Sequence, residues 1–163
     1  MNEEFQVLSN KAVKYLHDAT IVSRMAHWTV VGANFYEFHL MTDRAYNDLA
    51  DLMDPLVEQL RACGFVPTFD LFKGPGIDLP HYDCHYLGEL VLDYLLALDG
   101  VIGLYYNFAE EHSKDPRLVG VGNQLQGMSS TVLQLIYLFQ SYLARQHPEF
   151  TVFTASYSKP SDT

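Results

Sequence analysis

Between residues 33 and 63 the chain reads as one long helix with two unlike faces, and that contrast limits what it can become. Phe38, Ala45, Leu49, Leu52, Leu56 and Leu60 recur at helical spacing and form an apolar stripe. At about 100° per residue, His39, Asp43, Asp54 and Glu58 fall in a separate sector well over 90° from that stripe. The stripe has to face a core. The polar sector therefore points away from it, toward solvent or another molecule.

The polar sector is spaced for metal chemistry. All four residues, and His27 before them, are ligand types for first-row metals. His39 and Asp43 form one i,i+4 pair, and Asp54 and Glu58 form a second. Eleven residues at about 1.5 Å each put Asp54 roughly 16 Å beyond Asp43, so one helix cannot close both pairs on one ion. An antiparallel copy can. With His39 opposite Glu58 of a two-fold mate, Asp43 falls opposite Asp54, because both pairs sum to 97. Asn47 and Ala50 obey the same sum and are small enough for close approach. Such self-complementarity is what a two-fold contact requires.

The rest of the chain reads as three more helices. The first runs over about 4–29, with Val7, Val13, Leu16, Ile21 and Met25 on its apolar side and a turn at Gly32. The second, 33–63, ends at Gly64. Residues 65–82 carry FKGPGIDLP and read as a long connection. A third helix over 83–112 follows. Asp115-Pro116 then reads as a cap and first position of a fourth, which ends near Gln146. One all-α domain over 1–163 results, with a short tail from about 148. Asp54-Pro55 also permits a cap that divides the second helix, and proline disfavours helical geometry at Asp54. The expectation is a local kink that leaves Asp54 facing the mate.

Charge narrows the function. Twenty acidic residues against ten basic ones give −10, and from Glu37 to Glu58 six carboxylates accompany one Arg44. That field attracts cations. It disfavours nucleic acid, whose binding rests on Lys and Arg, and neither end carries a lysine-rich run. No apolar run is long enough for a membrane span, and MNEEFQVLSN lacks a basic leader. With two cysteines, Cys63 and Cys84, and no disulfide framework, the expected location is cytoplasmic.

The stretch HWTVVGANFYEFHLMTDRAYNDLADLMDPLVEQLR, residues 27–61, resembles the signature of the Dps family, the dodecameric mini-ferritins. The likeness lies in His-Trp, a glycine turn, His-x-x-x-Asp and Asp-x-x-x-Glu. It brings His27 into the ligand set, although alone that residue reads as a helix-end histidine. The resemblance implies a ferritin-like four-helix bundle and a hollow shell of twelve subunits. It also implies ferroxidase sites at two-fold interfaces, where His27, His39, Asp43, Asp54 and Glu58 bind iron. Fe²⁺ is then oxidised by hydrogen peroxide or dioxygen and stored as Fe³⁺ mineral. The resemblance further suggests a short helix within 65–82, and an entry pore for which Glu110, Glu111 and Asp115 are the local match, diluted by Lys114 and Arg117. Asp48 and Asp51 are candidates for mineral nucleation. His81, Asp83, Cys84 and His85 fit a capped helix start better than a zinc pattern. Three rivals stand beside this reading. They are a DNA-compacting protein without a major ferroxidase role, a cage binding zinc at the same site, and a di-iron oxidase inside the bundle. The last needs Glu-x-x-His motifs, which the chain lacks.

Overall fold

Local stop and start signals divide the chain into four long helices. The computed structural model describes residues 3–146. It contains α1 (Glu3–Thr29), α2 (Phe35–Ala62), α3 (Cys84–Glu111) and α4 (Pro116–Gln146), with one 3-10 turn at Phe69–Phe72 and no strand among the described residues. The tail expected from about 148 lies outside them. α2 begins two residues later than expected, because Gly32 (φ 97°) and Asn34 (φ 62°) both adopt left-handed backbone and cannot extend a helix. Its end follows the sequence signal. Gly64 sits at φ 95°, its N–H donates to the Arg61 carbonyl, and the Phe65 N–H reaches back to Leu60, both at 3.0 Å. That is a Schellman cap, sealed by the buried rings and methyls of Phe65 and Leu60. Asp83 caps α3 by accepting from the Tyr86 N–H at 2.9 Å. Asp115 does the same for α4 through the Arg117 N–H at 3.0 Å.

Cross-links at the helix ends set the topology. At one end, the Val31 N–H donates to the Tyr82 carbonyl and the Cys84 thiol to the Ala33 carbonyl. The close of α1, the start of α2 and the start of α3 thus share that end. At the other, the Gln6 amide reaches the Gly64 carbonyl and the Cys63 thiol reaches the Arg117 carbonyl. The start of α1, the close of α2 and the start of α4 meet there. The connection from Gly64 to Asp83 must therefore travel the length of the bundle, roughly 40 Å for a helix the size of α2. Its residues span that distance in extended form. α1 packs on α2 and α3, and α4 packs on α3 and α2. Among the described residues no helix is long and apolar enough to cross a membrane.

The α2 stripe enters the core as expected: Phe38, Ala45, Leu49, Leu56 and Leu60 are fully buried, and Leu52 packs against the cluster. Burying each leucine is worth about 1.5–3 kcal/mol. For α1 the expected apolar side needs correction. Val13 and Leu16 are buried, but Val7 and Met25 are exposed and Ile21 is half-buried. The inward face instead runs through Ala12, Ala19 and Ala26, one every seven residues. Small side chains there let the helices approach closely, while bulky ones at Ile21 and Met25 line a cleft closed by Pro75, Ile77 and Leu79 of the long connection. α2 is a single helix through Pro55 and is not divided.

Candidate metal centre

The α1–α2 turn brings two histidines together. Gly32 and Asn34 reverse the chain within five residues, so the last turn of α1 lies against the first turns of α2. The His27 and His39 rings stack with centres 3.7 Å apart. His27 Nδ1 lies 3.0 Å from the His39 carbonyl, and His39 Nδ1 lies 3.1 Å from the His27 carbonyl. A carbonyl oxygen only accepts, so both Nδ1 atoms donate, which leaves Nε2 as the atom with a lone pair in a neutral ring. The His27 carbonyl needs this donor. Its helical partner would be the Val31 N–H, which is committed to Tyr82. An orphan carbonyl at a helix end thus orients the His39 ring, the kind of hydrogen bond that outer partners make at metal sites. Phe35 extends the stack, 5.0 Å from the His39 ring.

The three carboxylates stand on the same outward sector. Asp43, Asp54 and Glu58 are exposed, and no hydrogen bond or ion pair described in the structure engages them. Asp54 keeps its helical position despite Pro55, which removes the donor that would reach the Asp51 carbonyl. The chain brings His27 and His39 together but does not gather all five residues. Among the described residues no three His, Cys, Asp or Glu side chains converge on one point. Imidazole with carboxylate is a donor set that suits iron or zinc.

Sequence reading missed a cluster beside the histidines. The Arg24 guanidinium lies 4.8 Å from the Trp28 ring centre and 4.0 Å from that of Tyr46, and it donates to the Tyr46 hydroxyl. The i,i+4 spacing of Arg24 and Trp28 was a usable signal. The approach of Tyr46 from another helix was not. Elsewhere the acidic candidates are partly spent. Asp48 pairs with Arg44 at 3.3 Å. Arg117 grips Asp115 through two nitrogens and holds its carboxyl below the usual range. Glu110 accepts from Tyr106 at 2.8 Å. Burial pushes the Cys63 thiol up, in keeping with a packed thiol rather than a reactive one. Asp83 serves as the helix cap described above, and His85 faces Glu89 at 3.3 Å.

No family model matches the chain. Over 53 residues it is 31% identical to the fine tangled pili major subunit of Haemophilus ducreyi, a stretch covering 32% of this chain and 28% of that protein. Likeness in structure is far broader. A double mutant of Listeria innocua Dps superposes with a TM-score of 0.74 at 20% identity, covering 86% of this chain and 94% of that one. It lacks two histidines twelve positions apart, which is also the separation of His27 and His39. Dps from Staphylococcus aureus gives 0.71 at 22%, covering 87% and 97%. Listeria innocua Dps soaked with zinc gives 0.72 at 21%, covering 86% and 96%. Together with the diagonal connection and the two antiparallel helix pairs, these matches establish that the chain has the ferritin-like four-helix fold of the Dps proteins.

Proposed function

We propose that this protein is an iron-oxidising and iron-storing mini-ferritin. Two copies join antiparallel through α2, each site taking His27, His39 and Asp43 from one subunit and Asp54 and Glu58 of the partner subunit. The observation that carries this reading is the reciprocal histidine pair, its Nδ1 atoms taken up by carbonyls, beside the unengaged carboxylates of α2. Fe²⁺ is the substrate. Two Fe²⁺ ions each give one electron to a molecule of hydrogen peroxide, whose O–O bond breaks and which takes up two protons to leave as two waters; dioxygen serves more slowly. Carboxylates favour the harder Fe³⁺ product, which passes inward to a mineral core within a shell of twelve subunits. The acidic chain repels DNA and attracts the cationic substrate. Its place is the cytoplasm, in keeping with two free, buried cysteines.

Gel filtration after addition of Fe²⁺ and then peroxide tests this, with iron and protein followed in each fraction. Iron eluting with a particle of about twelve subunits is the expected result. A large particle that excludes iron but retains zinc would favour the second reading, a zinc cage, since zinc competes well for such donors. Fibres in the microscope would move the reading toward a filament subunit, and a small iron-free species would overturn storage altogether.

A further inference from the structure

Arg24 is a cation that the fold clamps without giving it an anion. Three other arginines are engaged: Arg44 pairs with Asp48, Arg117 with Asp115, and Arg61 donates to the Phe65 carbonyl at 2.6 Å. Among the described residues Arg24 enters no ion pair. Its guanidinium is instead held between two aromatic faces, Trp28 one turn on along α1 and Tyr46 across on α2, with the Tyr46 hydroxyl accepting from it. Both anchors border the metal centre. Trp28 follows His27 directly, and Tyr46 lies three residues beyond Asp43 on nearly the same face of α2. Trp28 is 63% exposed and Arg24 is half-buried, so the stack reaches the surface. Cation–π contact holds a guanidinium in place without neutralising it.

We propose that Arg24 is the standing counter-charge of the metal site, neutralising the carboxylate face in the metal-free assembly and opposing the divalent ion that replaces it there. The inference rests on the two-subunit site proposed above. Bringing Asp43 against Asp54 of the partner subunit and the partner's Glu58 crowds like charges, and a fixed guanidinium three residues before His27 on α1 is placed to offset them. Once a divalent ion occupies the site, the same charge repels it. Arg24 thus stabilises the empty site and lowers its metal affinity. It acts as a positioning residue, not as a ligand.

The test uses the full-length assembly and zinc, which binds without redox chemistry. Zinc affinity is measured by calorimetry for the wild type, R24Q, R24M and R24K, with emission of Trp28, the chain's single tryptophan, followed in parallel. Both uncharged variants should bind zinc about tenfold more tightly, and their metal-free assemblies should dissociate at lower denaturant. R24K should stay within about threefold of wild type, while its emission shifts because the planar stack is lost. Equal or weaker zinc binding by R24Q and R24M would overturn the proposal while leaving the metal site intact. A wild type that binds no zinc would remove the site itself, and this role with it. If the uncharged variants fail to assemble, assembly of R24K supports the counter-charge role. Failure of R24K as well would mark Arg24 as a packing residue and overturn the role.

Discussion

His39 has two jobs on two nitrogens, and one substitution separates them. Its Nδ1–H caps the His27 carbonyl at 3.1 Å, while Nε2 is the proposed ligand atom. An asparagine places its amide nitrogen close to where Nδ1 was and has nothing at the position of Nε2. Removing the whole ring in H39A loses that hydrogen bond, about 1 kcal/mol. It also loses the stacks on His27 at 3.7 Å and Phe35 at 5.0 Å, about 0.5 kcal/mol or more together. H39A should therefore cost about 1.5–2 kcal/mol of stability, and H39N should recover about 1 kcal/mol of it. Both should lose zinc binding by more than the roughly 10–100-fold that outer-sphere partners alone are worth. Urea unfolding of metal-free protein at fixed protomer concentration reads the first effect, because assembly links stability to concentration. A zinc titration reads the second. Wild-type zinc affinity in H39N would refute the assignment of Nε2 as ligand. An H39N no more stable than H39A would refute the assignment of Nδ1 as the cap.

Two further outcomes follow from the fold. Ser9 and Tyr105 share a 2.6 Å hydrogen bond in the core. Y105F should cost only about 1 kcal/mol, because Ser9 can turn to the carbonyl four residues back as Thr20 and Ser23 do. S9A strands the fully buried Tyr105 hydroxyl and should cost about 1–3 kcal/mol; equal losses in the two variants would contradict this account. Burial raises the Tyr105 pKa, so the folded state keeps a proton that the unfolded chain releases near pH 10. Stability from this group is complete below that value and falls as pH climbs beyond it, a slope Y105F should reduce in alkaline unfolding curves. At Pro55, P55A restores a backbone donor to the Asp51 carbonyl within an unbroken helix. It should raise the unfolding free energy by about 1–3 kcal/mol, and a drop in thermal midpoint would show that α2 is built around the proline.

What the sequence reveals and what it hides divide along physical lines. The core face of α2 is legible because large side chains such as Phe38, Leu49 and Leu56 mark it at helical spacing. The core face of α1 is obscured because Ala12, Ala19 and Ala26 share it with larger residues such as Leu16 and Val22, while the bulky Ile21 and Met25 serve the long connection instead. Helix ends are legible where one residue decides them, as at Gly64, Asp83 and Pro116. The start of α2 is not, because Asn34 takes a left-handed conformation that most residue types avoid. At the site, His39 can be named from spacing and His27 from the family resemblance, but their exchange of carbonyls depends on a turn geometry no spacing encodes. The Arg24–Trp28 spacing was readable, but the contact with Tyr46 was hidden for the same reason, since it comes from a second helix. The carboxylates are a different case. A helix is rigid, so Asp43 and Asp54 stay roughly 16 Å apart in any conformation that keeps α2 intact. No rearrangement within one chain can bring them onto one ion. Their shared sum of 97 therefore acquires chemical meaning only across two copies, where the order of residues along α2 becomes the pairing rule of the contact.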